Sequence, residues 1–567
     1  MAERAGEDDP GSAPADVDVR VPTPWQTFVQ WLGPPRDYVL TRWLILRLLG
    51  FVYVFAFLGL IFQGPALLGS HGLTPVATYV DLLKGDGVPF SEVPSFFMWG
   101  ASDGSLAVWA YVGLALALAC MVGYANLPSL LALWVIYGSY ERVGQLWFSF
   151  GWEIQILETT LIAAFLAHPW DPRPLAARPP PTTAIVLMRW LVFRIMLGAG
   201  LIKLRGDACW KDLTCLDFHF ETQPIPNPLS PLFHELPHWA LASGVAFNHV
   251  VEIIAPLFVF GPRRLRLIAG VLMLGFQVFL ILSGNLAFLN WLTVVPVLAC
   301  FDDDALMRVM PRRLREWVRA RLPSGPRRDG RLLAIAIGVS IIPIAIWTPS
   351  FLVLVVVAAV VAIVKKLDWH QLAVGIFAAL VIVKSWAVVD NLTSKRQAMN
   401  RSYDPLALVN TYGAFGSVGD KRYELVIEGT LADDPNAGGW REYELPCKPG
   451  RIDRRPCVLG PYHRRLDWLI WFSAMYDEPR DPWLIHLAWK LLDGDRTIRE
   501  LVIDPFNGTP PKWIRIQRYL YHLQPYGADT WWTRELVDDE WLQPISKSTE
   551  GLQETLERYR WPSPSQH

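Results

Sequence analysis

The sequence predicts a membrane α-helical bundle of about eleven transmembrane helices. A mixed α/β C-terminal extracytoplasmic domain with a β core follows it. Three observations carry this reading. Apolar runs of crossing length dominate residues 41–389, and charge dominates 390–567. A short loop at 301–331, FDDDALMRVMPRRLREWVRARLPSGPRRDGR, is crowded with arginine and flanked by apolar runs on both sides. Two close cysteine pairs and three glycosylation-type triplets (Asn391-Leu-Thr, Asn400-Arg-Ser, Asn507-Gly-Thr) all fall on the face opposite that loop.

Taken in order, residues 1–40 open with MAERAGEDDPGSAPADVDVR, which is polar, acidic and rich in Ala, Gly and Pro. Such a composition cannot bury enough apolar surface to fold, so a disordered cytoplasmic segment is expected. It lacks the basic start and cleavage site of a secretory signal, which makes the first span an uncleaved anchor. A crossing helix needs about 20 mainly apolar residues. Candidates stand at 43–62, 105–124, 127–140, 152–166, 184–204, 240–260, 267–282, 286–300, 332–347, 351–364 and 371–389. The run at 127–140 is short, and 152–166 carries Glu153 and Glu158. These two are expected to be crossing, half-inserted or buried elements; removing them together leaves the parity unchanged. Of 27 tryptophans, many stand near span ends (Trp43, Trp99, Trp170, Trp210, Trp291, Trp347). An amphipathic ring favours the headgroup zone there.

Charge sets the orientation. Short loops rich in Lys and Arg stay cytoplasmic. With 301–331 inside, the cytoplasmic loops also hold Arg36, Arg42, Arg173, Arg178, Arg263, Arg264, Arg266, Lys365 and Lys366. The opposite loops hold only Lys84, Arg142, Arg205 and Lys211. The N-terminus is then cytoplasmic and the C-terminal domain extracytoplasmic. Of six cysteines, Cys120 and Cys300 fall in or at the ends of spans. Cys209 with Cys215 and Cys447 with Cys457 lie outside, where disulfides persist. A disulfide at each pair is predicted; four free thiols is the other reading, since spacing alone does not give connectivity. Neither pair shows the two-residue spacing of a zinc site or a redox motif.

From about 391 the pattern changes. Segments 406–415, 422–429, 440–445 and 512–523 read as strands, with LADDPNAGG as a hairpin loop. Segments 466–476 and 483–492 read as helices, and Trp531-Trp532 opens a charged tail. No phosphate loop, nucleophile elbow or H-E-x-x-H helix appears in this part of the sequence.

The most specific stretch, 188–304, begins MRWLVFRIMLGAGLIKLRGDACWKDLTCLDFHFETQPIPNPLSPLFHELPHW and ends LSGNLAFLNWLTVVPVLACFDD. With NTYGAFGSV, RYELVIEGT, WREYELPCKPG, RRLDWLIWF and the late WW-x-REL, it resembles the lipase maturation factor family. These are polytopic proteins best known from the endoplasmic reticulum and also found in bacteria. The resemblance implies a membrane-bound maturation or assembly factor. Such a factor assists folding of secreted proteins, lipases among them, on the lumenal or periplasmic side. It implies an endoplasmic reticulum membrane in a eukaryote and an inner or plasma membrane in a bacterium, with which the Ala-, Arg- and Trp-rich composition is compatible. The partners are then the lipid bilayer and secreted clients, with no nucleic acid and no cofactor.

Ionisable groups inside spans are costly and mark pairs or functional sites. Here they are Arg47, Glu153, Glu158, Arg189, Arg194, Lys203, His249, Glu252 and Lys384. His249 and Glu252, three apart, share a helix face. Glu153 and Glu158 are natural counter-ions for Arg194 or Arg47. Two readings stand side by side. In one, the charges form buried ion pairs that fix helix register. In the other, Arg194, Lys203, Arg205, Asp207, His219, Glu221, Asn248, His249 and Glu252 build a polar cavity that opens outward. The loop 205–239 is then its lid, tied by Cys209 and Cys215. On that reading the protein is an enzyme acting on a lipid, quinone or secreted polypeptide. Lys203, as a base, and His249 are its catalytic candidates. His219-x-Glu221 and His249-x-x-Glu252 offer metal-type donors, but no metal is assigned to them.

Overall fold

A computed structural model describes residues 37–176, 178–322 and 369–561. The candidate spans 332–347 and 351–364, most of the N-terminal segment, the end of the arginine-rich loop and Lys365–Lys366 lie outside the described residues. Labelling the longer helices in order, α1 is Val39–Leu68, α2 Asp103–Val122, α3 Leu127–Val143, α4 Gly151–Leu166 and α5 Thr182–Arg205. Then come α6 His238–His249, α7 Arg263–Ser283, α8 Leu289–Val297 and α9 Trp369–Thr393. A π-turn, Val250–Ile254, and a 3-10 turn, Ala255–Phe258, carry α6 onward without a break. Among the described residues, six helical spans are long and apolar enough to cross a membrane: α1, α2, α5, α6 with its extension, α7 and α9. The protein is an integral membrane protein.

The short elements at 127–140 and 152–166 are α3 and α4. Every residue of α4 except Phe165 is buried, so this helix is wrapped by the others. By contrast α2 and α7 expose Val108, Tyr111, Leu118, Ile268, Val271 and Val278. That is the signature of faces turned to acyl chains. α1 and α2 cross closely. A Cβ on Gly50 would stand 2.5 Å from the Met121 backbone nitrogen, and one on Gly113 would stand 2.2 Å from the Phe57 ring. Small residues at such crossings let backbones approach.

Successive helices run alternately between two ends, and the ends differ chemically. At one end Arg42 donates to the carbonyls of Ala176 (2.8 Å) and Arg178 (2.7 Å). Arg263 binds Asp302 through two hydrogen bonds of 2.6 and 2.7 Å. The N-terminus of α1 has no cap of its own. Asp303 supplies one, accepting from the backbone N–H groups of Val39, Leu40 and Thr41 at 2.9, 3.0 and 3.2 Å. These otherwise unpaired donors are what a helix start must satisfy. At the other end sits the C-terminal region. Gln63 of α1 donates to the His463 carbonyl (2.7 Å) and accepts from the Arg465 N–H (2.9 Å).

The C-terminal region holds a four-stranded antiparallel sheet in the order β2-β1-β3-β4. Its strands are β1 Arg422–Thr430, β2 Arg441–Tyr443, β3 Trp513–Leu523 and β4 Trp532–Ile545. Ile427 stands opposite Ile516 on one side and Tyr443 on the other. Helices α10 (Arg465–Ser473) and α11 (Pro482–Asp493) accompany it. Two expectations need correction. Segment 406–415 is not a strand; its polar groups are committed to the bundle, as described below. The tail after Trp531 is the strand β4. Its many charges suit an exposed sheet edge, which hides the alternation. One hydrophobic cluster runs without interruption from Tyr38 in the bundle to Trp541 in the sheet.

Candidate functional site

The polar residues named from the sequence gather in separate groups. The first lies between α5 and the extension of α6. Lys203 Nζ donates to Glu252 Oε1 (2.6 Å), Glu252 Oε2 (2.7 Å) and Asn248 Oδ1 (3.1 Å). Asn248 Nδ2 donates back to Glu252 at 3.1 Å. All three side chains are buried. The π-turn places Glu252, and the Cβ of Glu252 packs where a Cβ on Gly200 would come within 3.1 Å. Trp210 closes over the group, its ring centroid 5.0 Å from the ammonium. Its indole N–H is held by the Phe415 carbonyl at 2.9 Å, and its own carbonyl stands 2.9 Å from His249 Nε2.

The structure joins Cys209 to Cys215 beside this tryptophan and Cys447 to Cys457 in the C-terminal region. His219 sits in the same loop, with Phe415 edge-on at 5.1 Å. Burial, with help from the Lys203 charge, pushes His219 down from 6.5 to about 4. It is therefore neutral at pH 7. Between about 6.5 and 4 the unfolded chain binds its proton first, so this group withdraws stability as pH falls through that window.

Arg194 lies elsewhere. It forms an ion pair with Glu158 of α4 and donates to the Asn410 carbonyl at 2.8 Å. Glu158 also accepts from the Asn410 backbone N–H (3.1 Å), the Asn410 amide (3.0 Å) and the Tyr412 hydroxyl (2.7 Å). Every member is essentially water-free. Arg205 binds Gln397 (2.5 Å) and the Leu392 carbonyl (2.8 Å) at the end of α9. Asp207 accepts from the Val418 N–H at 2.7 Å. Glu221 accepts from the Leu523 N–H at 2.7 Å, with His522 at 3.4 Å. So Lys203, Asn248, Glu252, His249 and His219 share one neighbourhood, whereas Arg194, Arg205, Asp207 and Glu221 each hold a different part of the C-terminal region. Among the described residues no group of His, Cys, Asp and Glu has a metal-holding arrangement.

Several contacts of the same kind escaped the sequence reading. Glu153 pairs neither with Arg47 nor with Arg194. Its cation is Arg465 of α10, at 2.8 Å, and it also accepts from Tyr137 and from Trp152 Nε1 (3.1 Å). Arg465 lies over the Phe148 ring at 3.7 Å. Arg47 instead donates to the Gly123 carbonyl at 2.8 Å and lies 4.8 Å from the Trp43 ring. Arg422, in β1, donates to the carbonyls of Glu221 (2.7 Å), Gln223 (2.5 Å) and Pro224 (3.1 Å) and pairs with Glu424 (2.6 Å). Lys448 completes that pair on its other oxygen. The signal available was RRLDW: two arginines at the start of an apolar helix following a cysteine pair. Nothing in it named Glu153.

Buried charges of this kind persist only when paired and hydrogen-bonded. Here the Glu153–Arg465 pair, and the hydrogen bonds of the Glu158–Arg194 pair to Asn410 and Tyr412, bridge membrane helices and the C-terminal region, so the two are held as one body. Similarity to known proteins has the same extent. The profile of the lipase maturation factor transmembrane domain matches residues 40–308, and that of the lipase maturation factor C-terminal domain matches 408–541. Lipase maturation factor 1 of Mus musculus is 40% identical over 558 residues, covering 93% of this chain and 90% of that protein. The Homo sapiens protein of the same name is 40% identical over 547 residues, covering 93% and 91%. Lipase maturation factor 2 of Gallus gallus is 29% identical over 596 residues, covering 89% and 81%. No solved structure matches the chain. Both halves that the buried charges join, and nearly the whole length between them, are shared with these proteins: the chain belongs to the lipase maturation factor family.

Proposed function

We propose that this protein is a membrane-bound maturation factor that assists folding of secreted proteins, lipases among them, on the face that carries its C-terminal region. Kinship over nearly the whole chain supports this reading. The observation that carries it further is the set of buried polar contacts between the bundle and the C-terminal region, the Glu153–Arg465 ion pair and the bonds of Glu158 to Asn410 and Tyr412 foremost. They hold the outer sheet rigidly on the membrane bundle, as a platform for a client must be held. On this reading the chain crosses about eleven times, with 332–347 and 351–364 among the crossings. The basic end faces the cytoplasm, and the sheet faces the lumen of the endoplasmic reticulum or, in a bacterium, the periplasm. The test is co-expression with a secreted dimeric lipase in cells that lack related factors. Active secreted lipase should rise with the wild-type protein and not with Glu158→Ala. Equal activity with and without the protein would overturn the reading.

A second reading has one observation in its favour. π-turns inside helices occur frequently at functional sites, and this one places Glu252 on Lys203. An enzyme acting on a lipid, quinone or secreted polypeptide would use Lys203 as base after release from Glu252, with His249 and Asn248 positioning the substrate. Lys203→Met together with Glu252→Leu keeps the packing and removes the chemistry. Retention of function in that double variant would exclude this reading and leave the first intact.

A further inference from the structure

A cavity of about 370 Å³ opens where α7 ends and α8 begins, under the loop that follows Cys457. Its wall is apolar: Ile281 and Leu282 from the last turn of α7, and Leu286 from the turn beyond. Five polar side chains share the lining: Asn227 and Asn285, which are hydrogen-bonded to backbone carbonyls, and Asn290, Trp291 and Arg455. Asn290 is 4% exposed, yet among the described residues its amide meets no hydrogen-bond partner. Its amide is open to an occupant of the cavity that it lines. Among the described residues no carboxylate pairs with Arg455; it has only the Trp531 ring, at 6.0 Å.

The position of the cavity says what would occupy it. Val271, Val278 and Leu282 are exposed along one side of α7, a helix long and apolar enough to cross the membrane, and they lead up to the cavity. An acyl chain lying on that face would reach the cavity without leaving apolar surroundings. Trp291, at the start of α8, is a ring of the type that prefers the headgroup level. The volume suits a small ligand or a lipid headgroup with its first chain carbons.

We propose that this cavity binds one phospholipid, its phosphate held by Arg455 and its glycerol-ester oxygens accepting from Asn290 and Trp291, with an acyl chain running down α7. Arg is suited to phosphate because its guanidinium presents two parallel donors. The bound lipid would satisfy the amide that the protein leaves open. The proposal stands apart from any client or catalytic reading.

The test uses the full chain, purified in detergent and washed free of lipid, with native mass spectrometry as the readout. The probes are dioleoyl phosphatidylglycerol, dioleoylglycerol and inorganic phosphate. Wild-type protein should retain phosphatidylglycerol, and Arg455→Ala should weaken retention about tenfold, the loss of one charge-assisted contact. Asn290→Leu should weaken it several-fold, and Arg455→Lys should restore part of what Arg455→Ala loses. Arg455 is exposed, so its variants keep the fold and decide the matter even if Asn290→Leu does not express. Three outcomes overturn the proposal: retention within twofold of wild type in Arg455→Ala, equal retention of dioleoylglycerol, or inorganic phosphate binding as tightly as the lipid. Displacement of the lipid from wild-type protein by a secreted lipase would assign the cavity to a protein ligand and overturn it as well.

Discussion

At the scale of single residues, the unusual feature is how many charges are buried and paired. Glu158 serves Arg194, Asn410 and Tyr412 at once. Removing one partner leaves the other charged and dry, which costs about 3–5 kcal/mol, whereas replacing both by apolar residues of similar size is often neutral. Glu158→Ala is therefore expected to lower the thermal midpoint of the purified protein sharply. Glu158→Leu combined with Arg194→Met is expected to lose less than Glu158→Ala alone. If the double variant loses the sum of the two single losses, the pair is not coupled and the account is wrong. The partnership of Glu158 with Arg194 was legible only as one of the pairings that Glu153 and Glu158 offered to Arg194 or Arg47. That of Glu153 with Arg465 was not, because only the docking of α10 onto α4 brings Arg465 near.

At the scale of elements, helix starts and strand edges decide the local outcome. α1 begins at Val39 without a capping side chain, and Asp303, 264 residues further along the chain, closes the gap. Asp303→Ala is expected to cost about 1–3 kcal/mol, the range of a lost cap with buried donors left open. Asp303→Asn, which keeps one acceptor oxygen, is expected to cost less. Thermal unfolding in detergent, followed by circular dichroism, separates the two. Equal stability of Asp303→Ala and wild type would show that water caps the helix instead. The triple aspartate in FDDDALMR looks in the sequence like a solvated run. In the fold Asp302 caps the helix it opens, accepting from the Ala305 N–H at 2.9 Å, while binding Arg263. Periodicity revealed β3, and the short apolar run at 425–427, rich in β-branched residues and set between turn residues, revealed β1. It did not reveal β4, whose exposed charges mask the alternation, or exclude a strand at 406–415, a short apolar-rich run where the Asn410 N–H is claimed by Glu158.

At the scale of the whole molecule, the separation of the two ends is what matters for function. Arg42, Arg263 and Arg266 gather at one end. The sheet and both disulfides stand at the other. A reporter fused after Thr393 is expected to be active only in an extracytoplasmic compartment, and the four paired cysteines are expected to resist thiol labelling until reduced. A reporter active only in the cytosol would reverse the orientation and, with it, the side on which a client is met. The continuous core from bundle to sheet implies that the two halves unfold together, because no polar linker separates their apolar contacts.

Local composition was enough to determine that this chain is a membrane helical bundle with a β-containing C-terminal region, where most of its helices fall, and which cysteines lie close enough to pair. Those properties follow from runs, spacings and charge bias, all of which are local along the chain. Only the tertiary structure decided which charges meet, that four of the nine polar candidates grip the outer region instead of lining one cavity with the other five, and that an open amide and an arginine with no carboxylate partner among the described residues share a cavity at the end of α7. Those depend on contacts between residues hundreds of positions apart, where the energy of a pair is set by burial that no short stretch of sequence reveals.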